Sequence, residues 1–113
     1  MNLDRDPNEA VDYLISKAGA YAEAESNKVY MEELRKTIKA ECMKEAELIG
    51  HKTAAMQERE AYASPKYKAH LLALQEAVQK REEARWMMIA AQERINVWRS
   101  QNASNRGLDK LLS

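Results

Sequence analysis

The chain has 113 residues, of which 32% are charged and only 6% are aromatic. This composition is typical of extended helical proteins, because a thick globular core needs more large apolar side chains. Phe is absent and there are only 3 Gly and 2 Pro, which disfavours sheets and tight turns. The sequence predicts a single all-α domain with a thin core, and long exposed helices leave little room for an enzyme pocket.

The formal net charge is +0, but the charges are unevenly distributed along the chain. Residues 1–26 carry two basic and six acidic side chains, residues 27–64 carry seven of each, and residues 65–113 carry nine basic and five acidic ones. We therefore expect an anionic partner to meet the C-terminal half. The acidic N-terminus is expected to face a basic partner or the basic half of a neighbouring subunit.

Cys42 is the single cysteine, so an intramolecular disulfide is excluded. It lies in a helical pattern where a small apolar side chain packs well. The sequence has no segment resembling a signal peptide and no apolar run long enough to cross a bilayer. These features predict a cytoplasmic protein that does not contact a membrane.

The first predicted element is a short acidic helix within residues 1–19. Asp6 can cap its amides, Pro7 suits the first helical position, and Glu9 can complete a capping box. Gly19 follows Lys17 closely, and glycine after a last-turn lysine is a common signal for a helix end. We expect the helix to end near that glycine.

The second predicted element is a first long helix within residues 20–64. Its apolar face advances by three or four residues through Tyr30, Leu34, Ile38, Cys42, Ala46, Ile49, Thr53 and Met56. Gly50 lies inside this pattern. An internal glycine costs about 1 kcal/mol relative to alanine, so we expect it to be tolerated, or to mark a bend or a close backbone approach.

The strongest break in the chain is the joint Tyr62-Ala63-Ser64-Pro65. Proline fits best at the first position of a helix, and the preceding serine can cap the exposed amides of that helix. The joint therefore ends one long helix and starts another. The prediction is an antiparallel helical hairpin whose second long helix and oligomerisation tail occupy residues 65–113.

The helix after Pro65 carries an apolar stripe that mostly fits a 3.5-residue repeat. Its members are Tyr67, Leu71, Leu74, Val78, Ala84, Met88, Ala91, Ile95 and Trp98. Trp86, Met87 and Ile89 lie off this stripe, which indicates a second apolar face for another helix or subunit. The polar residues 101–107 are expected to end the helix and to be followed by a short amphipathic tail. The residues assigned to oligomerisation are Trp86, Trp98, Leu108, Leu111 and Leu112.

The sequence shows no catalytic or metal-binding constellation. Glu47 and His51 form an i, i+4 pair, but a second such pair or an HExxH arrangement is missing. A phosphate-binding glycine loop, a nucleophile elbow and a Cys–His arrangement are also missing. We therefore expect a non-enzymatic protein without a metal or cofactor. His70 is expected to border the helix seam.

Basic and aromatic residues of the second half suggest nucleic-acid binding. A stripe of Lys and Arg can meet phosphates while Trp86, Trp98, Tyr62 or Tyr67 stacks on unpaired bases. The stripe comprises Lys66, Lys68, Lys80, Arg81, Arg85, Arg94, Arg99 and Arg106. The alternative stays open, because tryptophans often anchor helix interfaces and arginines beside glutamates are often ion-paired.

The segment Arg59-Glu60-Ala61-Tyr62-Ala63-Ser64 closes a Lys/Glu-rich helix that also carries Lys52. A second long helix with an interior tryptophan follows, then Asn105-Arg106-Gly107 and a leucine-containing tail. This order of parts, over about residues 24–112, resembles the UvsY family of phage recombination mediators. The chain departs from the family in having Ser64-Pro65 in place of a glycine-containing loop and in its brief tail.

The resemblance implies a non-enzymatic phage protein of the host cytoplasm that binds single-stranded DNA, forms homo-oligomers and helps to load a recombinase onto strands covered by a single-strand-binding protein. By position it implies DNA contacts for Lys52, Arg59 and Arg106. Together with the basic stripe, the nucleic-acid candidates are Lys52, Arg59, Lys66, Lys68, Arg81, Arg85 and Arg106. The alternative hypothesis is a small phage helical interaction module, either an inhibitor of a host protein or an assembly chaperone.

Overall fold

The computed structural model describes residues 7–112 of the chain. Helix α1 spans Pro7–Leu48, α2 spans Ala54–Ala63 and α3 spans Pro65–Leu112, and no strand lies within these described residues. The predicted all-α fold class is confirmed. The predicted cap Asp6 lies outside the described residues, whereas Pro7 is the first residue of α1 as its fixed backbone angle favours.

Helix α1 runs through Gly19 without interruption, so the predicted helix end near Ala18 and Gly19 is wrong. Ala20 follows immediately, and the residues from Tyr21 to Ala24 are good helix formers or neutral ones. The cost of one internal glycine, about 1 kcal/mol, is too small to end a helix in such surroundings. The predicted short helix and the start of the first long helix therefore form one element.

The predicted long helix to residue 64 is instead two helices, since α1 ends at Leu48 and α2 begins at Ala54, with Gly50 between them. Gly50 has a φ of 110°, a conformation that an L side chain rarely adopts. Its N–H donates to the Glu47 carbonyl at 3.1 Å, and the His51 N–H donates to the Ala46 carbonyl at 3.1 Å. These two bonds form a Schellman motif, which satisfies carbonyls at the end of α1. The glycine thus ends a helix and does not lie within one.

Thr53 is the N-cap of α2, so its predicted place in the apolar stripe is wrong. Thr53 has an extended backbone, and its side-chain oxygen accepts a hydrogen bond from the Met56 N–H at 3.2 Å. The Gln57 side-chain amide donates to the His51 carbonyl at 2.9 Å across the same turn. Thr53 therefore serves as an N-cap, the position that its hydroxyl favours.

The predicted joint is confirmed at Ser64. The Lys66 N–H donates to Ser64 Oγ at 3.2 Å, and the Lys68 N–H donates to the Ser64 carbonyl at 3.1 Å, while Pro65 is the first residue of α3. On the other side, the Ser64 N–H donates to the Ala61 carbonyl at 3.1 Å and closes α2. One serine therefore ends one helix and caps the next.

Helix α3 continues to Leu112, so the predicted helix end within residues 101–107 is wrong. That segment contains no proline, and Gly107 is its only strong helix breaker. Lys110 lies in the last turn, where a positive charge suits the helix dipole. The residues predicted as a separate tail are the last turns of α3.

The chain divides into two compact units. The terminal unit consists of the described residues 7–22 and 82–112, and the hairpin unit spans Glu23–Arg81. In the terminal unit Ala10, Ala91 and Ile95 are buried together, with Tyr13 and Leu14 packed against them. Ala10 packs with Ala91 and Ile95, whereas Tyr21, further along α1, lines a cleft with Arg85, earlier in α3. The two segments are therefore antiparallel.

The core of the hairpin unit consists of Cys42, Ala61 and Tyr67, with Ile38 and Met43 packed against them. The chain leaves along α1 and returns along α3, so the predicted antiparallel helical hairpin is confirmed in this unit. Glu25 pairs with Arg81 at one end and Glu41 with Lys66 towards the other. Four of the six buried residues in the two cores are alanine or cysteine.

The predicted stripes were correct at some positions and wrong at others. Cys42 and Tyr67 are buried as expected, but Tyr30 and Leu71 are exposed. His70, the neighbour of Leu71, is buried instead, and its Nε2 lies 2.8 Å from the Met31 carbonyl oxygen. Steps of three and four residues both fit a helix face, so sequence alone left the phase open by one position.

Candidate nucleic-acid interface

An open groove in the hairpin unit combines basic and aromatic side chains. It encloses a volume of about 380 Å³ and is lined by Arg35, Lys36, Lys39, Tyr62 and Tyr67. We call it the basic groove. Its basic residues come from α1, whereas Tyr62 lies near the end of α2 and Tyr67 in the first turn of α3. The turn at Ser64 therefore brings both tyrosines to the same stretch of α1.

The two tyrosines of the basic groove hold each other at a defined angle. Their ring centres are 5.3 Å apart and the ring planes meet at 76°, an edge-to-face arrangement. Tyr67 is buried with 8% of its surface exposed, while Tyr62 remains 45% exposed. Tyr62 thus contacts a buried ring within the protein and remains partly exposed to solvent.

Lys39 joins this aromatic pair. Its Nζ lies 4.7 Å from the centre of the Tyr62 ring and donates to Glu58 Oε1 at 3.1 Å. The pKa of Lys39 is raised above its ordinary value, mainly by hydrogen bonding with the Tyr62 side chain and next by hydrogen bonding with Glu58. The ammonium group contacts the ring in a cation–π arrangement.

The remaining cations of the basic groove are less engaged. Arg35 is exposed and forms no ion pair with any residue between 7 and 112. Lys36 Nζ lies 3.8 Å from Glu33 Oε2, and both side chains are largely exposed, so this pair contributes little. The groove therefore offers two cations that are accessible to an anion.

Four of the predicted DNA contacts are exposed and make no ion pair with the described part of the chain. They are Lys52, Arg59, Lys68 and Arg106. Lys52 lies in the loop between α1 and α2, and Arg59 lies on α2 three residues before Tyr62. Residues three apart are neighbours on a helix surface, so Arg59 extends the positive charge beside the basic groove. Arg106 belongs to the terminal unit and does not share this groove.

The other three predicted DNA contacts are engaged within the protein. Lys66 Nζ lies 2.7 Å from Glu41 Oε2 and 3.5 Å from Glu45 Oε1, and the hydrogen bond to Glu41 raises its pKa. Arg81 is ion-paired with Glu25. Arg85 pairs with Glu82 at 3.1 Å and lies over the Trp86 ring at 4.9 Å. Their charges are locally balanced.

The residues predicted for oligomerisation are all exposed and all lie in the terminal unit. They are Trp86, Trp98, Leu108, Leu111 and Leu112. Val11 and Ile15 are exposed on α1 of the same unit. An apolar cleft of about 280 Å³ lies between the two helices there, lined by Leu14, Tyr21, Arg85, Met88, Ile89 and Gln92. The unit thus presents apolar surface beyond what its own core uses.

Sequence reasoning missed Arg35, Lys36 and Lys39. They lie among glutamates in α1, and this mixture is typical of an ordinary solvated helix face. Their spacing at i, i+1 and i+4 places them on one side of the helix. Only the register between α1 and the Ser64 joint brings that side against Tyr62, and the sequence does not specify this register.

The described residues contain neither a metal cluster nor a membrane-spanning helix. Between residues 7 and 112 there is no group of three or more His, Cys, Asp or Glu side chains that could hold a metal ion. Over the same range, no helix has the length and apolar character required to span a membrane. His70 borders the helix seam as predicted, where its ring nitrogen bonds a backbone carbonyl.

Comparison of the chain with protein-family models, with curated proteins and with solved structures gives no match. The resemblance to the UvsY family stays a prediction from the order of the sequence segments.

Proposed function

We propose that the chain is a non-enzymatic recombination accessory protein that binds single-stranded DNA. The observation that carries the proposal is the basic groove, which three cations of α1 line together with the half-exposed Tyr62. Proteins that bind single strands without sequence preference combine a positive groove for phosphates with aromatic rings for bases. Arg59 and Lys52 add exposed positive charge on α2 and in the loop that precedes it.

The arrangement suits a single strand better than a duplex. Phosphates of either form can reach Arg35 and Lys36, but a base can stack on Tyr62 only when it is unpaired. The recombinase and the single-strand-binding protein enter the proposal as partners through the resemblance alone. In the proposal these partners act on the bound strand, whereas the contact with the strand is inferred from the basic groove.

The test is binding of a fluorescently labelled, unstructured oligonucleotide, followed by anisotropy at several salt concentrations. The variant carries Arg35→Gln and Arg59→Gln, which remove two accessible charges without removing an internal ion pair. We expect weaker binding and a log affinity that depends less steeply on log salt, by about 0.7 for each phosphate that the variant no longer neutralises.

Lys17→Gln together with Lys44→Gln is the matched control, because it also removes two exposed charges and both residues lie outside the basic groove. It should bind like the unmodified chain. Equal weakening in the control and in the groove variant would show that general charge, and not the groove, attracts the strand. That result would refute the proposed site.

A second candidate function is a protein-interaction module, as an inhibitor of a host protein or an assembly chaperone. The exposed apolar residues of the terminal unit favour it, because large exposed apolar surface commonly marks a protein contact. This candidate and the homo-oligomer proposed from the resemblance use the same surface. They are distinguished by whether the purified chain alone forms an oligomer.

A further inference from the structure

We propose that Tyr62 is the stacking platform for one unpaired base of the bound strand, with the flanking phosphates on Arg35 and Lys36. The inference deepens the proposed function and rests on it. It assigns stacking to Tyr62 and phosphate contacts to Arg35 and Lys36, so that the stacking can be tested by substitution of Tyr62 alone.

Exposure selects Tyr62 among the aromatic residues that line the groove. Tyr67 is buried and presents too little ring surface to receive a base. Tyr62 lies against it and keeps 45% of its surface exposed. A groove of about 380 Å³ falls in the range of small-molecule sites and has room for a nucleotide unit.

Two contacts support the orientation of the Tyr62 ring in the free protein. Tyr67 contacts it edge to face, and Lys39 lies 4.7 Å from its centre while also bonding Glu58. A ring that is held in place loses little freedom when a base stacks on it, which favours affinity. Lys39 is therefore a positioning residue for Tyr62.

Two cations remain for phosphates once Lys39 is assigned to the ring. Arg35 has no ion-pair partner between residues 7 and 112, and Lys36 has only the exposed Glu33 at 3.8 Å. Both lie one turn before Lys39 on α1. The groove thus provides an aromatic surface with accessible positive charge beside it, as a base with its flanking phosphates requires.

The experiment compares two single strands of equal length and charge, an oligothymidylate and the same backbone without bases. The unmodified chain should bind the oligothymidylate about 5- to 150-fold more tightly, which corresponds to the stacking of one base. Tyr62→Ala should lose most of this preference and keep its salt dependence, because the phosphate contacts remain. Tyr62→Phe should retain the preference, because a ring is still present.

Two controls keep the result interpretable. Tyr30→Ala removes an exposed tyrosine of α1 outside the basic groove and should leave the preference unchanged. Tyr62→Leu preserves apolar packing against Tyr67 but has no ring, so it should behave like Tyr62→Ala even if the alanine variant folds poorly. Helix content is checked by circular dichroism for every variant.

The outcomes separate the inference from the proposed function. If the unmodified chain binds both strands equally, or if Tyr62→Leu keeps the full preference, the stacking role is wrong while single-strand binding stands. If the chain binds neither strand at low salt, the proposed function fails and the inference fails with it.

Discussion

At the residue scale, Ser64 connects three parts of the hairpin unit. Its N–H closes α2, its Oγ caps α3, and the same Oγ lies 3.4 Å from Cys42 Sγ on α1. The turn between α2 and α3 depends on these contacts, and the turn places Tyr62 against the basic residues of α1. A single short side chain therefore supports the geometry of the groove.

Ser64→Ala should lower the free energy of unfolding by about 1 kcal/mol, because the Lys66 N–H loses its side-chain acceptor. Urea denaturation followed by circular dichroism measures the change. Ser26→Ala is the control, since Ser26 is exposed inside α1 and caps nothing there. It should be neutral or slightly stabilising because alanine is the better helix former. Equal effects of the two substitutions would contradict the cap.

We expect Lys66 to contribute to a loss of stability of the hairpin unit at alkaline pH. Its hydrogen bond to Glu41 raises its pKa above the ordinary value of 10.5. A group whose pKa is raised on folding contributes its stability in full below its unfolded pKa, and the contribution is lost as pH rises through the folded pKa. Lys66→Met should therefore reduce the fall in unfolding free energy above about pH 10.5.

Lys68→Met is the matched control for the pH experiment, because Lys68 is exposed two residues further on and has no ion pair in the described chain. It should keep the alkaline fall of the unmodified protein. If both variants respond to pH in the same way, the ion pair of Lys66 with Glu41 does not contribute to stability.

At the element scale, Gly19 lies within α1 whereas Gly50 follows the end of that helix. Gly19 is helical and Gly50 has a φ of 110° after the last turn of the helix. A Cβ at either position would meet nothing within 4 Å, so sterics with neighbours are equal. The difference lies in the backbone angle alone.

Substituting each glycine by alanine should therefore give changes of opposite sign. Gly19→Ala should raise the free energy of unfolding by about 0.5–1 kcal/mol, since alanine loses less backbone entropy in a helix. Gly50→Ala should lower it by about 1 kcal/mol or more, because a positive φ is strained for alanine. Thermal and urea unfolding of both variants measure this, and a stabilising Gly50→Ala would contradict the described helix end.

The sequence predicted the helices better than their ends. Proline at position 65 with serine before it favours a helix start, and α3 begins there as predicted. An isolated glycine does not by itself indicate whether a helix ends. Alanine comes directly after Gly19, whereas Thr53, three residues after Gly50, can cap a new helix. The basic groove could not be predicted, because it depends on which face of α1 meets Tyr62, and a shift of one residue changes that face.

At the scale of the whole molecule, the terminal unit exposes apolar residues that its own core does not cover. Leu111 and Leu112 are 83% and 85% exposed, and Trp86 is 58% exposed. Exposed apolar surface of this kind favours association. We therefore expect the purified chain to be an oligomer at micromolar concentration, as measured by multi-angle light scattering.

Leu111→Glu together with Leu112→Glu should reduce the molar mass towards that of the monomer while helix content is preserved. Leu72→Glu is the control, because Leu72 is also exposed but lies in the hairpin unit. It should leave the mass unchanged. A monomeric unmodified chain would contradict the proposed self-association and leave the apolar surface to another protein.

Binding of single-stranded DNA through accessible cations is the central proposal for this chain, and the salt dependence of binding tests it most directly. The measurement is the affinity for an unstructured single-stranded oligonucleotide over a series of salt concentrations. We expect a linear fall of log affinity with log salt at a slope of about −0.7 for each phosphate contact, hence about −1.4 or steeper for contacts at Arg35 and Lys36. No binding at low salt, or binding that salt does not weaken, would contradict the proposal.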